Sequence, residues 1–168
     1  MLQSRGVDFA LIGGLALQPW GRIRSTLDVD MVVFIPEANQ PDFQDALVAA
    51  GFRLRTAAPV RLEHVSLLQS VLPHAASGLD IRVDFIFASS PFHRRILERK
   101  VTVAINDHAF PVASCEDLIL LKLLGGRPID RVDASELCQL NAADLDVAYL
   151  REQAVALGIS QELAECLN

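Results

Sequence analysis

The chain has 168 residues, of which 51% are apolar, with 15 basic against 21 acidic side chains and a net charge of −6. That composition excludes an intrinsically disordered chain, contains no apolar run near the about 18 residues of a membrane span, and argues against a nucleic-acid binder held by bulk charge. The imbalance is local: residues 1–100 carry eleven basic and ten acidic groups, residues 101–168 four and eleven, so a basic site within the first part stays open.

In chain order, Phe9-Ala-Leu-Ile12 reads as a buried strand that breaks at Gly13-Gly14. Leu15 to Trp20 reads as a short helix, Arg22 to Thr26 as a polar loop, and Asp28 to Ile35 as a strand. Pro41 suits a first helical position, and Phe43, Ala46, Leu47 and Ala50 repeat at helical spacing before Gly51. Phe52 to Arg55 and Val65 to Leu72 follow as strands, with a turn over Pro73–Gly78. From Leu79 to Phe87 alternation is strict, with Leu79, Ile81, Val83, Phe85 and Phe87 on one face and Asp80, Arg82 and Asp84 on the other. Two short strands near 101–105 and 109–113 flank a turn at Asn106-Asp107.

After Ala113 the period changes from 2 to 3.6. Ser114-Cys-Glu-Asp117 resembles a capping box for a helix that stops at Gly125-Gly126. A second helix carries Ile129, Val132, Leu137 and Leu140, and Asn141 is read as the cap of a third, which ends at Gly158. The predicted fold is a mixed α/β (α+β) sheet flanked by helices over 1–113, with a C-terminal helical extension over 114–168. Cys115, Cys138 and Cys166 are odd in number, far apart and without zinc spacing, so they read as small buried thiols rather than a disulfide scaffold. Met1 to Arg5 lacks the pattern of a signal peptide, which makes a cytoplasmic protein without membrane contact the expectation.

The chemistry concentrates in Asp28, Asp30 and Asp84. Residues i and i+2 of a strand share a face, so Asp28-Val-Asp30 sets two carboxylates side by side. They repel unless protonated or bound to cations. Mg²⁺, with Mn²⁺ as substitute, takes one or two carboxylates plus phosphate oxygens. If the strand of Asp84 is a neighbour, three carboxylates converge and suit two ions clamping a phosphoryl or nucleotidyl transfer. The plain alternative is the solvated face of a half-exposed sheet. Gly13-Gly14 lets the backbone approach a ligand closely before a helix N-terminus, though an ordinary turn explains the pair as well.

Lys122, one of two lysines, sits inside Leu118-Ile-Leu-Leu-Lys-Leu-Leu124, where its ammonium must snorkel outward or meet an anion. Arg127, Asp130 and Asp133 follow at near-helical spacing, as a structural salt-bridge set or as substrate support. Arg94, Arg95, Arg99 and Lys100 form a basic run, either a solvated helix face or an RNA contact. The four histidines lack ligand spacing and receive no role, and Trp20 is assigned to the core.

Gly13-Gly14, Asp28-Val-Asp30-Met and a later acid, Asp84, together resemble the DNA polymerase beta-like nucleotidyltransferase superfamily, with its hG[GS] turn, Dh[DE]h strand and third carboxylate. Arg24-Ser-Thr26-Leu-Asp28-Val-Asp30 and Ser114…Glu116-Asp117-Leu…Lys122…Arg127…Asp130…Asp133 resemble its small bacterial toxin–antitoxin-type (minimal) members, over about residues 8–135. The resemblance implies that Gly13 and Gly14 hold a nucleoside triphosphate (NTP), with Arg24 and Thr26 beside it. It implies that Asp28 and Asp30 bind two Mg²⁺ ions, and that Asp84 binds one and helps activate the attacking hydroxyl. Residues 1–7 leave only a stub of the helix that such proteins carry before the first strand.

The implied activity is transfer of a nucleoside monophosphate from an NTP to an acceptor hydroxyl on RNA, a small molecule or a protein, with a partner protein as in toxin–antitoxin systems. Two other readings stay open. One is a non-catalytic nucleotide-binding or protein-interaction module on the same fold. The other is a haloacid-dehalogenase-like phosphatase, since Asp28-Val-Asp30-Met-Val32 also fits D-x-D-x-[TV].

Overall fold

A computed structural model describes residues 1–61, 65–74, 78–105 and 108–167. Its frame is an eight-stranded mixed sheet. The strands are β1 (Asp8–Ile12), β2 (Asp28–Phe34), β3 (Arg53–Leu54), β4 (Val60–Arg61), β5 (Ser66–His74), β6 (Leu79–Phe87), β7 (Val101–Ile105) and β8 (His108–Val112), in the order β3-β5-β6-β2-β1-β8-β7 with β4 paired to β5. β2 runs parallel to β6 and antiparallel to β1, and β1 runs parallel to β8. This mixed pattern differs from the regular βαβ series that the haloacid-dehalogenase reading requires. The expected turn at Asn106-Asp107 and the middle of the one at Pro73–Gly78 lie outside the described residues.

Alternation along β2 divides its side chains between two layers. Met31 and Val33 join Phe9, Leu68, Val83, Phe85 and Phe87 under helix α1 (Gln40–Ala49), which contributes Phe43 and Leu47. Val32 faces the other way, into a second cluster with Ala10, Ile12 and Val112. That cluster is closed by α2 (Pro91–Arg99), α3 (Cys115–Gly125), α4 (Pro128–Leu140), α5 (Val147–Leu157) and α6 (Ser160–Cys166). Asp28 and Asp30 share the Val32 side by the same period of two, so the acidic row faces the layer of α3 and α4.

Local chemistry sets the helix ends. Ser90 Oγ accepts from the His93 N–H at the start of α2, and Ser114 Oγ accepts from the Asp117 N–H at the start of α3. Asp146, not Asn141, caps α5 by accepting from the Tyr149 N–H. Asn141 instead closes α4, its Nδ2 donating to the carbonyls of Leu137 and Trp20. Leu15–Trp20 forms a 3-10 helix with Pro19 inside it. The two-residue β4 and the seven-residue α6 are too short to show a period, and neither was predicted.

Two groups of side chains have partners that their sequence spacing does not show. The Sγ atoms of Cys138 and Cys166, 28 residues apart, lie 2.9 Å from each other and join α4 to α6 as thiols in contact. The basic run on α2 is partly internal. Arg99 pairs with Glu116 at 3.2 Å and lies 3.7 Å from the Tyr149 ring centroid, while Lys100 pairs with Asp8 at 2.6 Å.

Candidate active site

β2 and β6 are neighbours, and their parallel register sets Asp30 directly beside Asp84 and Asp28 beside Arg82. The row continues through Gln69 of β5 on one side and Ile12 of β1 on the other. The three aspartates proposed from sequence therefore come together at one end of the sheet. Asp28 is the outermost, and its Oδ2 accepts from Arg82 at 3.3 Å. Asp84 Oδ2 accepts from Gln69 Nε2 at 3.2 Å, whereas its Oδ1 is buried without a hydrogen-bond partner among the described residues. Asp30 has its pKa raised above the ordinary carboxylate value, first by burial and then by the charges of Asp84 and Asp28, against the opposing pull of Lys122 and Arg127.

The Gly13-Gly14 turn abuts this row. Gly13 has φ +69°, and a Cβ built on it would lie 2.0 Å from Asp30 Oδ2, so glycine is required on both counts. Gly14 opens the Leu15–Trp20 turn, and a Cβ there would approach Thr26 Cγ2 to 3.1 Å. Thr26 Oγ1 in turn accepts from the Asp28 N–H at 3.1 Å, tying the loop to the first residue of β2. A cleft of about 500 Å³ opens beside this loop, with Leu15, Ile23, Arg24, Thr26 and Leu27 in its wall.

Lys122 does not snorkel. It is buried, and its Nζ donates to Asp130 Oδ1 at 3.0 Å and to Asp133 Oδ2 at 2.8 Å. Arg127 caps the set by donating to both oxygens of Asp130. Asp133 is fully buried and gathers two more cations from the loop before β2: Arg22 at 3.2 Å and Arg24 at 2.9 Å. Burial alone would raise the pKa values of Asp130 and Asp133. Hydrogen bonds and charge from Lys122, joined by Arg127 at Asp130 and by Arg22 and Arg24 at Asp133, prevail and hold both below the usual range. Two of the acids counted in the tail, Asp130 and Asp133, thus lie against Lys122, one of the cations whose charge reaches Asp30.

Sequence reasoning missed two members of this arrangement. Arg22, which also pairs with Glu136 at 2.6 Å, looks in the sequence like nothing more than part of a polar loop. Gln69 gave no signal, because an amide on a strand face is ordinary until the register sets it beside a carboxylate. Among the described residues, no group of three or more His, Cys, Asp or Glu side chains forms a ready metal-binding set, and no helix is long and apolar enough to cross a membrane. A second cleft, of about 560 Å³ and lined by Phe34, Arg61, Ser89 and Arg94 among others, lies at the opposite ends of β2 and β6 from the aspartates.

No family model matches the chain, and no curated protein does. Solved structures do. An antigenic nucleotidyltransferase-like protein from Paracoccidioides brasiliensis superposes with a TM-score of 0.60 at 18% identity, over 99% of this chain and 86% of that one. The antibiotic-resistance factor ANT(2'')-Ia matches with a TM-score of 0.58 at 15% identity, over 98% and 89%. The lincosamide antibiotic adenylyltransferase LnuA, solved with lincomycin bound, matches with a TM-score of 0.50 at 14% identity, over 83% and 90%. These matches extend over most of the chain at low identity: the chain has the nucleotidyltransferase fold.

Proposed function

We propose that the chain is a metal-dependent nucleotidyltransferase that moves a nucleoside monophosphate from an NTP to an acceptor hydroxyl. The observation that carries this reading is the alignment of Asp30 with Asp84, one of whose carboxylate oxygens is buried without a donor among the described residues. Adjacent carboxylates in a part-buried row are costly unless a cation joins them. The donor set is all oxygen, as Mg²⁺ and Mn²⁺ prefer, and it leaves further positions for phosphate oxygens and water. The chemistry of these donors, rather than a preformed cage, supports the ion.

In this reading Asp28 and Asp30 would hold two Mg²⁺ ions, and Asp84 would hold one of them. Bound there, the ions supply charge stabilisation to the attacking and leaving oxygens. Asp84 takes the proton of the acceptor hydroxyl as that oxygen forms its bond to the α-phosphorus. The bond from this phosphorus to the bridging oxygen breaks, and pyrophosphate leaves. Gly13 and Gly14 bring backbone close to the triphosphate, with Arg24 and Thr26 beside it, while Lys122, held by Asp130 and Asp133, contributes its positive charge to the site from within the fold. Arg127, Asp130 and Asp133 support Lys122 and Arg24 through the ion pairs described above. Residues 1–113 form the transferase core, and 114–168 the helical extension packed on it.

The acceptor class is RNA, a small molecule or a protein. Two of the matched proteins act on or resist antibiotics, which supports testing hydroxylated small molecules first. The run from Ser114 to Asp133 supports a place among toxin–antitoxin-type nucleotidyltransferases, cytoplasmic and with a partner protein. The test is incubation with each labelled NTP and Mg²⁺, together with total RNA, cell protein or a small-molecule extract. Label should enter one fraction with the wild type and none with Asp30→Ala. Equal labelling by both would overturn the assigned site, and no labelling in the presence of tight NTP binding would favour the non-catalytic module.

A further inference from the structure

Across the sheet, the row Gln69–Asp84–Asp30–Ile12 is flanked on one side by Leu67–Ile86–Val32–Ala10. On the other side the register runs Val71–Arg82–Asp28. Gln69 therefore stands on the aspartate face between the apolar side chains of Leu67 and Val71, by the alternation of β5. Nothing apolar is gained by an amide at this position. Its Nε2 donates to Asp84 Oδ2, and the other oxygen of the same carboxylate has no donor among the described residues.

We infer that Gln69 is a positioning residue for Asp84: by holding Oδ2 from the outer side, it leaves Oδ1 as the oxygen available on the row shared with Asp30. A carboxylate free to rotate would present either oxygen at either angle. One that is hydrogen-bonded from behind presents a single geometry, the arrangement that outer partners impose on ligating groups in metal sites. The next residue of β5 adds to this link, since Ser70 Oγ donates to the carbonyl of Val83, its partner on β6, at 2.7 Å. The inference rests on the metal-binding reading of Asp84 given above.

The test uses Gln69→Leu, which matches the apolar character of its strand neighbours, with Leu67→Ala as a control on the same face. Mn²⁺ binding to the full chain is followed by electron paramagnetic resonance of the free ion. Gln69→Leu, assayed well below its melting temperature so that the chain is folded, should weaken Mn²⁺ binding about tenfold, while Leu67→Ala should leave binding as in the wild type. In nucleotidyl transfer, Gln69→Leu should lower kcat with little change in KM for the NTP. A metal-free readout separates this inference from the metal reading. The Gln69 side-chain amide resonances should move on Asp84→Ala and stay fixed on Asp80→Ala.

Mn²⁺ affinity in Gln69→Leu equal to that of the wild type would overturn the inference. So would amide resonances indifferent to Asp84→Ala. A wild type that binds no Mn²⁺, with amide resonances that do respond, would overturn the metal reading and with it any role of Gln69 toward an ion, while leaving its hold on Asp84 demonstrated.

Discussion

Gly13 and Asp30 occupy space that a single added carbon would close: a Cβ on Gly13 would stand 2.0 Å from Asp30 Oδ2. Gly13→Ala must both adopt a left-handed backbone, at a cost of about 1–2 kcal/mol, and push the Asp30 carboxylate off its row. The expected outcome is a lowered melting temperature and loss of NTP binding by isothermal titration. A substitution with unchanged binding would show that Asp30 has room to move without consequence.

Asp30 is held above its ordinary value of 3.8, first by burial and then by Asp84 and Asp28. A carboxyl raised in the folded state contributes stability that is complete below the unfolded value and is lost as pH rises through the folded one. Asp30→Asn, which carries no charge, should therefore raise the melting temperature of the metal-free protein at pH 7. One kcal/mol corresponds to about 2–4 °C for a chain of this size. The gain should shrink as pH falls toward 4, and thermal scans from pH 4 to 8 without divalent ions read it directly.

Asp133 shows the opposite sign. Burial pushes its pKa up, but the Lys122 hydrogen bond and charge, with Arg22 and Arg24, bring it below the ordinary value, so its contribution is present at neutral pH and lost as pH falls through the folded value. Asp133→Ala leaves Lys122 buried with one partner fewer and releases both arginines of the loop before β2. Urea unfolding at pH 7 should show a loss of about 3–5 kcal/mol. A double-mutant cycle with Lys122→Met should recover a large coupling energy.

Tyr149 donates to Asp117 Oδ1 at 2.6 Å, and Ser114 donates to Oδ2 at 3.1 Å, which joins α5 to the first turn of α3. Tyr149→Phe removes one of these donors from a fully buried acid. The expected cost is about 1–3 kcal/mol by chemical denaturation, with nucleotide binding unaffected because the pair lies away from the aspartate row.

Much of this fold is written in short-range pattern. The alternation of Leu79 to Phe87 assigns the faces of β6, and two aspartates at i and i+2 must share one side of β2. What brings Asp84 to Asp30 is a parallel pairing between strands 54 residues apart in sequence, and nothing local specifies its register. Lys122 posed the reverse problem. Its run demands an anion or an escape to water, and only the packing of α4 against α3 supplies Asp130 and Asp133. Arg22 and Gln69 are ordinary in sequence because their roles depend wholly on residues 111 and 15 positions away.

The core cluster that takes Ala10, Ile12, Val32 and Val112 from the sheet also takes Leu118, Ile119, Leu137, Leu150 and Leu163 from the helices after it. A chain cut at Ala113 would turn the inner face of its own sheet to water, and the severed helices would lose the surface that folds them. Sheet and tail should therefore melt in one cooperative transition, with matching calorimetric and van't Hoff enthalpies, because neither half owns a complete interior.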